Sequence, residues 1–315
     1  MSRLSVVVRG LAVLSFCVLA GCAGETIAPS AAVDVPAPVV AEPEPAAPPQ
    51  PPLQLRGEFR QGELIVGKVL PGSRVRVLGR ELRVAGDGTF VFGFDRDAAD
   101  SVVIDVTLPD GTALQETRTV EKREYDIQRV TGIAKRIMEP SAADIERSKR
   151  ENAMVGAARQ RDDDRLDFLQ QFIWPTQGPV TGVYGSQRYY NGVPGRPHYG
   201  VDVGMPTGTP VVAPAAGIVS LAHPGMFYSG GTLIIDHGHG VSSTLMHLSE
   251  ILVKEGERVQ QGQLVARVGA TGRASGAHLD WRMNWFGERI DAQRLVPPMP
   301  AAPANASPMP AAAGN

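Results

Sequence analysis

Residues 274–285 read ASGAHLDWRMNW, with a histidine and an aspartate two positions apart in a run that otherwise has strand composition. Successive side chains of a strand point to opposite faces. His278 and Asp280 therefore share a face and can approach one ion or one proton together, while Leu279 and Trp281 pack behind. A second pair, His198 and Asp202, stands four apart in HYGVDVG, with Gly200 between them. A turn at the glycine can fold both side chains toward one point, and imidazole with carboxylate suits zinc, although this spacing alone is a weak signal. His247 lies in TLMHLSE, on a third β-like run. All six histidines (His198, His223, His237, His239, His247 and His278) fall between 198 and 278. Histidine clustered with aspartate is the composition of a metal or acid–base centre.

The elements that must hold these residues are strands. Across 171–296, the runs GTPVVAPAAGIVSLA, GTLIIDHG, GVSSTLMHLS and GQLVARVGATG are apolar and broken by glycine and proline. No long amphipathic helix interrupts them, so an antiparallel sheet is expected rather than a βαβ fold. Residues 53–125 carry ELIVGKV, RVRVLGREL, TFVFGF, VVIDVTL and LQETRTVEK, separated by the turn sequences LPGS, GDG and LPDG. That pattern predicts a small all-β domain, an immunoglobulin-like β-sandwich, without histidine or cysteine and acting as spacer or binding module. Residues 126–170 form a linker that switches to helical composition, its helix expected to join the two domains or to pack on the second. Ser141 is its N-cap candidate, with Asp144 three residues on. The chain is thus expected to be mainly β, with a sandwich, a linking helix and a C-terminal antiparallel β domain.

The ends and the charge bound the setting. Residues 1–21 have Arg3 and Arg9, an apolar run from Leu11 to Ala20, and then small residues, as a secretory signal does. Leu19-Ala20-Gly21-Cys22 looks like a bacterial lipobox, which implies cleavage before Cys22 and lipidation of that cysteine; the alternative is an ordinary signal peptide with a chance cysteine. Residues 22–52 then read as an Ala/Pro-rich tether to a membrane, and 297–315 as a disordered tail. Ala23 is, by analogy with Gram-negative lipoproteins, permissive for outer-membrane sorting, so the expected location is the periplasmic side of the envelope. The only other cysteine, Cys17, lies in the removed segment, which leaves no disulfide and no cysteine-based metal site. A net charge of −2 gives no sign of nucleic-acid binding.

Three blocks, in order, identify a family. VYGSQRYYNGVPGRPHYGVDVGMPTGTPVVAPAAGIV, GGTLIIDHGHGVSSTLMHLS and VKEGERVQQGQLVARVGATGRASGAHLDWRM together resemble the lysostaphin-type zinc metallopeptidases, the LytM-domain murein endopeptidases, over about 174–292. The resemblance implies a LytM-type barrel-sandwich hybrid fold (duplicated hybrid motif) and one Zn²⁺ per chain. It places His198 and Asp202 as metal ligands and His247 and His278 as catalytic. It also implies hydrolysis of the peptide cross-links of peptidoglycan, in cell-wall remodelling or division. The family's last block is H-x-H, whose second histidine binds zinc. Here that position is Asp280, a competent ligand, but two carboxylates on one ion should leave it a poorer Lewis acid. The alternative within the same resemblance is a catalytically weak or inactive module that binds peptidoglycan and activates a murein amidase or division partner. His237 and His239, in IDHGHG, read as a surface hairpin, and His223 as a loop residue. Arg188 matches a recurring family arginine, with an ion pair and a substrate contact as equal readings. VKEGERVQQGQLVA also resembles the turn of biotinyl/lipoyl carriers, but no modifiable lysine sits at its tip.

Overall fold

The computed structural model describes residues 51–131 and 141–300, and these belong to one compact unit. The signal segment 1–21, Cys22, nearly all of the tether and the tail beyond 300 lie outside the described residues. The described chain is mainly β and its sheets are almost wholly antiparallel.

The first seven strands are β1 (Leu53–Arg56), β2 (Leu64–Val69), β3 (Arg74–Val77), β4 (Arg80–Leu82), β5 (Thr89–Gly93), β6 (Ser101–Thr107) and β7 (Ala113–Thr119). They form two antiparallel sheets, ordered β1-β2-β5 and β4-β3-β6-β7. Alternation explains them: Val75 and Val77 of β3, and Val102, Ile104 and Val106 of β6, are buried while their neighbours face outward. The intervening LPDG closes a turn in which the Gly111 amide donates to the Leu108 carbonyl at 3.0 Å. Phe59, Phe92 and Phe94 meet at edge-on or tilted angles in the core between the sheets.

Next comes β8 (Ile127–Val130), and then the helix α1 (Ala142–Arg159). The Ser141 side chain accepts from the Asp144 amide at 3.2 Å, the N-cap geometry that its sequence predicts. The chain continues through β9 (Val180–Gly182), β10 (Gln187–Tyr190), β11 (Val193–Pro194), β12 (Val201–Val203), β13 (Pro210–Val212), β14 (Gly217–Met226), β15 (Gly230–Asp236) and β16 (Val241–Leu248). It ends with β17 (Glu250–Ile251), β18 (Arg258–Val259), β19 (Leu264–Arg267), β20 (Leu279–Trp285) and β21 (Glu288–Ile290). The main sheet runs β18-β14-β15-β16-β20-β12-β9, with β21 on β20, and a smaller sheet is β13-β19-β17.

Strand β20 is central to the site. Leu279, Trp281, Met283 and Trp285 belong to the hydrophobic core, and Trp281 meets Trp174 edge-on at 5.8 Å. His278, Asp280 and Arg282 therefore face the other side, as the period of two requires. Helix α1 lies on that same side. Its Val155 and Ala158 pack on Leu221, Met226 and Ile234, a small cluster separate from the main core. Residues 53–125 abut this sheet: the Asp291 amide donates to the Gly62 carbonyl at 2.8 Å, and the Arg289 amide donates to Asp95 Oδ2 at 3.1 Å.

The hairpin expected at IDHGHG is present, joining β15 to β16, but its histidines are not at the surface. His237 is 0% exposed and His239 2% exposed. The turn folds inward because aromatic rings receive both imidazoles: Phe172 packs against His237 and Phe168 against His239. His237 is bonded through Nδ1 to the Ala216 carbonyl and through Nε2 to Ser243 Oγ, each at 2.7 Å. Burial pushes its pKa down from 6.5 to about 4, with the Ala216 contact opposing. The folded state thus prefers the neutral ring. This contribution is complete above pH 6.5 and is lost as the pH falls from 6.5 toward 4. The loss should reach about 3 kcal/mol. Urea unfolding of the parent and of His237→Gln between pH 7 and pH 4 measures it. An equally steep decline in His237→Gln would remove His237 as the cause.

Candidate metal centre

The site is assembled where β12, β16 and β20 run side by side. Asp202 of β12 pairs directly with Asp280 of β20, and Met246 of β16 pairs with Asp280 from the other side. His198 precedes β12 and is clamped by its backbone: its amide donates to the Ser186 carbonyl at 2.8 Å, and its carbonyl accepts from the Gly185 amide at 2.7 Å. Two glycines make room. A Cβ on Gly182 would stand 2.3 Å from Asp202 Oδ2, and one on Gly200 would stand 2.4 Å from Asp280 Oδ1 and 2.6 Å from Arg282 Cγ. Gly200 therefore serves close packing beneath the carboxylate, in addition to the turn that the sequence suggests.

The five expected side chains do converge. His198 Nε2 lies 3.3 Å from Asp202 Oδ1, and His278 Nε2 lies 3.8 Å from the same oxygen. One donor atom each from His198, Asp202 and Asp280 lies within 4.8 Å of the others. The rings of His247 and His278 have centroids 4.7 Å apart. Each is oriented by a backbone carbonyl: His247 Nδ1 is 2.9 Å from the Thr271 oxygen and His278 Nδ1 is 2.9 Å from the Gly276 oxygen. Those contacts place the proton on Nδ1 and leave Nε2 as the lone-pair nitrogen of each neutral ring.

His247 reaches the site by a local irregularity. In β16 strict alternation would send it to the core side with Leu245. Instead β15 and β16 shift register, so that Met246 and His247 stand opposite the single Thr232. His247 has φ +61, in the left-handed region uncommon for a side chain other than glycine or asparagine. This bulge turns the ring onto the groove face. Burial lowers the His247 pKa, with the Thr271 contact opposing. At His198 burial also pushes down, but the carboxylates of Asp202 and Asp280 outweigh it and raise the pKa.

One neighbour lies outside the expected set. Asp280 is 2% exposed and Arg282, two positions on, grips it from the same face. Arg282 Nε donates to Oδ1 at 3.0 Å and to Oδ2 at 3.1 Å, and Nη2 donates to Oδ2 at 2.6 Å. Burial alone would raise the Asp280 pKa; the Arg282 guanidinium overrides it and holds the carboxyl well below its usual range. The signal is legible in HLDWRM, where alternation puts 278, 280 and 282 on one face.

The donor set fits a divalent ion. His198 Nε2 and Asp202 Oδ1 are buried without a hydrogen bond of acceptable geometry. Their 3.3 Å separation is the donor spacing that bonds of about 2.0–2.2 Å in a tetrahedron require. Asp280 keeps acceptor capacity, since an ionised carboxylate offers about four lone-pair sites. Arg282 also changes the charge reckoning. Two carboxylates with one guanidinium leave one net negative charge, the same as one carboxylate with two imidazoles. The expected loss of Lewis acidity at Asp280 is thereby offset.

The peptidase family M23 model matches residues 196–292. Peptidoglycan DD-endopeptidase ShyA of Vibrio cholerae is 39% identical over 105 residues, covering 33% of this chain and 24% of that protein. An Escherichia coli lipoprotein, YgeR, is 30% identical over 132 residues, covering 42% of this chain and 49% of that protein. The chain thus spans about a quarter to a half of the length of these relatives. A crystal structure assigned to peptidase M23 from Pseudomonas aeruginosa superposes with a TM-score of 0.61 at 28% identity, over 76% of this chain and 95% of that one. With the match running from Arg196 through Ala292 and a solved peptidase sharing the fold, the chain carries a peptidase family M23 (LytM-type) domain.

Proposed function

We propose that this chain is a zinc endopeptidase that hydrolyses peptide cross-links of bacterial peptidoglycan. One ion per chain would be held by His198, Asp202 and Asp280. The observation that carries the reading is the buried, unbonded pair of His198 Nε2 and Asp202 Oδ1 beneath two imidazoles already oriented by backbone carbonyls. An ion held there supplies acidification of a water and polarisation of the scissile carbonyl. His247, kept neutral by burial, accepts the proton of the attacking water at Nε2. That proton then passes from His247 to the leaving amine, while His278, facing it, would stabilise the developing oxyanion by donating from Nε2 once that nitrogen carries a proton. Arg282 holds Asp280 ionised and fixed in rotamer. ShyA is named a peptidoglycan DD-endopeptidase, and its likeness to this domain supports the substrate class.

The same reading puts the chain in the cell envelope, tethered through lipid on Cys22, in keeping with the lipobox-like sequence and with YgeR being named a lipoprotein. Cys22→Ser should then move the protein from the detergent-extracted membrane fraction to the soluble one. Retention in the membrane would reject the anchor.

Purified full-length protein, reconstituted with zinc, should contain about one ion per chain and release muropeptides from sacculi. Asp202→Ala should lose most of the metal. His247→Ala and His278→Ala should keep it and lose roughly 10²–10⁴ in hydrolysis, the usual worth of a positioned acid or base. A parent that binds zinc and sacculi yet releases nothing would favour the amidase-activating module.

Arg282→Met tests the role of the guanidinium. Without it Asp280 becomes a buried charge lacking its partner, which should cost the metal-free protein about 3 kcal/mol. Zinc should restore most of that loss, because the ion replaces the guanidinium as counter-charge. Thermal unfolding with and without zinc reads the difference. An equal zinc-induced gain in parent and variant would show that Asp280 is not a ligand.

A further inference from the structure

The groove above the site is lined by six arginines and one lysine, but by only two carboxylates, Asp126 and Asp202. Three of the arginines come together, one from the end of α1 and two from the paired strands β20 and β21. Arg159, the last residue of α1, is 8% exposed. Its Nη2 donates to Thr244 Oγ1 at 2.9 Å, whereas its buried Nε has no partner. Thr244 is the cross-strand partner of Arg282. Arg289 lies on β21 opposite Asn284, so alternation puts it on the same face as Arg282. Its guanidinium stands 5.3 Å from the ring centroid of Tyr199, another residue of the groove wall.

Like charges confront each other here. Burial, then Arg289 and Arg282, push the Arg159 pKa well down, with Asp280 the opposing charge. Burial and Arg282 also lower Arg289. Asp280 itself is gripped by Arg282. A buried N–H without a partner is costly, more so on a charged group, and nearby guanidiniums add repulsion. An anion entering from the groove relieves both costs. A guanidinium fork matches a carboxylate in plane and spacing.

We propose that Arg159, flanked by Arg282 and Arg289, forms a subsite that binds a free carboxylate of the peptide substrate. The subsite adjoins the metal centre through Arg282, so it would hold a carboxylate a short distance along the peptide from the bond to be cut. Peptidoglycan stem peptides carry such carboxylates on their D-glutamyl, diaminopimelyl and terminal D-alanyl residues. The substrate identity rests on the endopeptidase reading above; the preference for an anion does not.

The test uses the full-length protein and two fluorescein-labelled probes: the tetrapeptide L-Ala-D-Glu-diaminopimelyl-D-Ala, and the same peptide with every carboxyl amidated. Fluorescence anisotropy should show the acid form binding about tenfold to a hundredfold more tightly than the amide, with the preference shrinking as salt rises. Arg159→Gln should bring that ratio close to one, and Arg159→Lys, which keeps the charge but loses the fork, should leave it between. Equal affinities of the parent for both probes would overturn the subsite, and this comparison needs no variant. An undiminished ratio in folded Arg159→Gln would overturn it as well. If the parent prefers the acid probe and Arg159→Gln does not, yet zinc-loaded parent releases no muropeptides, the subsite stands and the endopeptidase reading falls.

Discussion

The register of β20 is the constraint on which the site depends. This strand pairs with β12 on one side and with β16 on the other, so every side chain on its groove face is placed relative to both. Leu279 and Trp281, both 0% exposed, lock that register from behind. A slip of one residue would drive Asp280 and Arg282 into the apolar core and expose an indole, at a cost in desolvated charge and lost burial that excludes the alternative. Asp202 beside Asp280, and Thr244 beside Arg282, then follow from backbone hydrogen bonding. The chemistry-bearing face is fixed largely by the residues that do no chemistry.

Placing carboxylates side by side on a half-buried sheet creates an electrostatic problem that the chain answers within β20. Asp202 and Asp280 are directly paired across the strands. Like charges opposite one another destabilise a sheet, and burial sharpens the repulsion. Arg282 reaches back two residues to neutralise Asp280, and Gly200 leaves the space for it. A site with histidine at 280 would need no such partner. The aspartate and the arginine are thus one device, and replacing either alone exposes the other.

Much of the fold and the site is legible in the amino-acid sequence, and the omissions have physical causes. The strands of 171–296 announce themselves by apolar runs between glycines. The period of two by itself puts His278 and Asp280 on one face. The same rule reaches Arg282, but arginine is not a metal-ligating residue type, so a search for ligands passes over it. His247 is different. TLMHLS predicts a core-facing histidine by alternation, and only a register shift with a left-handed backbone reverses that. His237 and His239 look like turn residues because glycines flank them; the aromatic rings that bury them come from residues 168 and 172, far away in sequence. A net charge of −2 likewise hides a cationic groove, because a long stretch of mixed charge separates Arg159 from Arg282 and Arg289.

Helix α1 shows how composition can mislead about purpose. Its sequence has little apolar character, which suggests a solvated linker, and its buried residues are only the last two, Ala158 and Arg159. Yet it is held in a defined place. Arg147 donates to the Gly225 carbonyl at 2.8 Å, Glu151 accepts from the Phe227 amide at 2.8 Å, and Val155 and Ala158 seat its end on β14 and β15. A helix fixed at both ends can deliver one side chain to one point, and the side chain it delivers is Arg159. The polar residues that line the groove upstream, Ser148, Lys149 and Asn152, recur at the spacing of a single helix face. The absence of a broad apolar stripe is what a helix needs if one of its faces is to wall a groove that admits a polar chain. On the proposed reading, floor and wall divide the work: the sheet would position groups that act on a bond, and the helix would position groups that hold the chain carrying it.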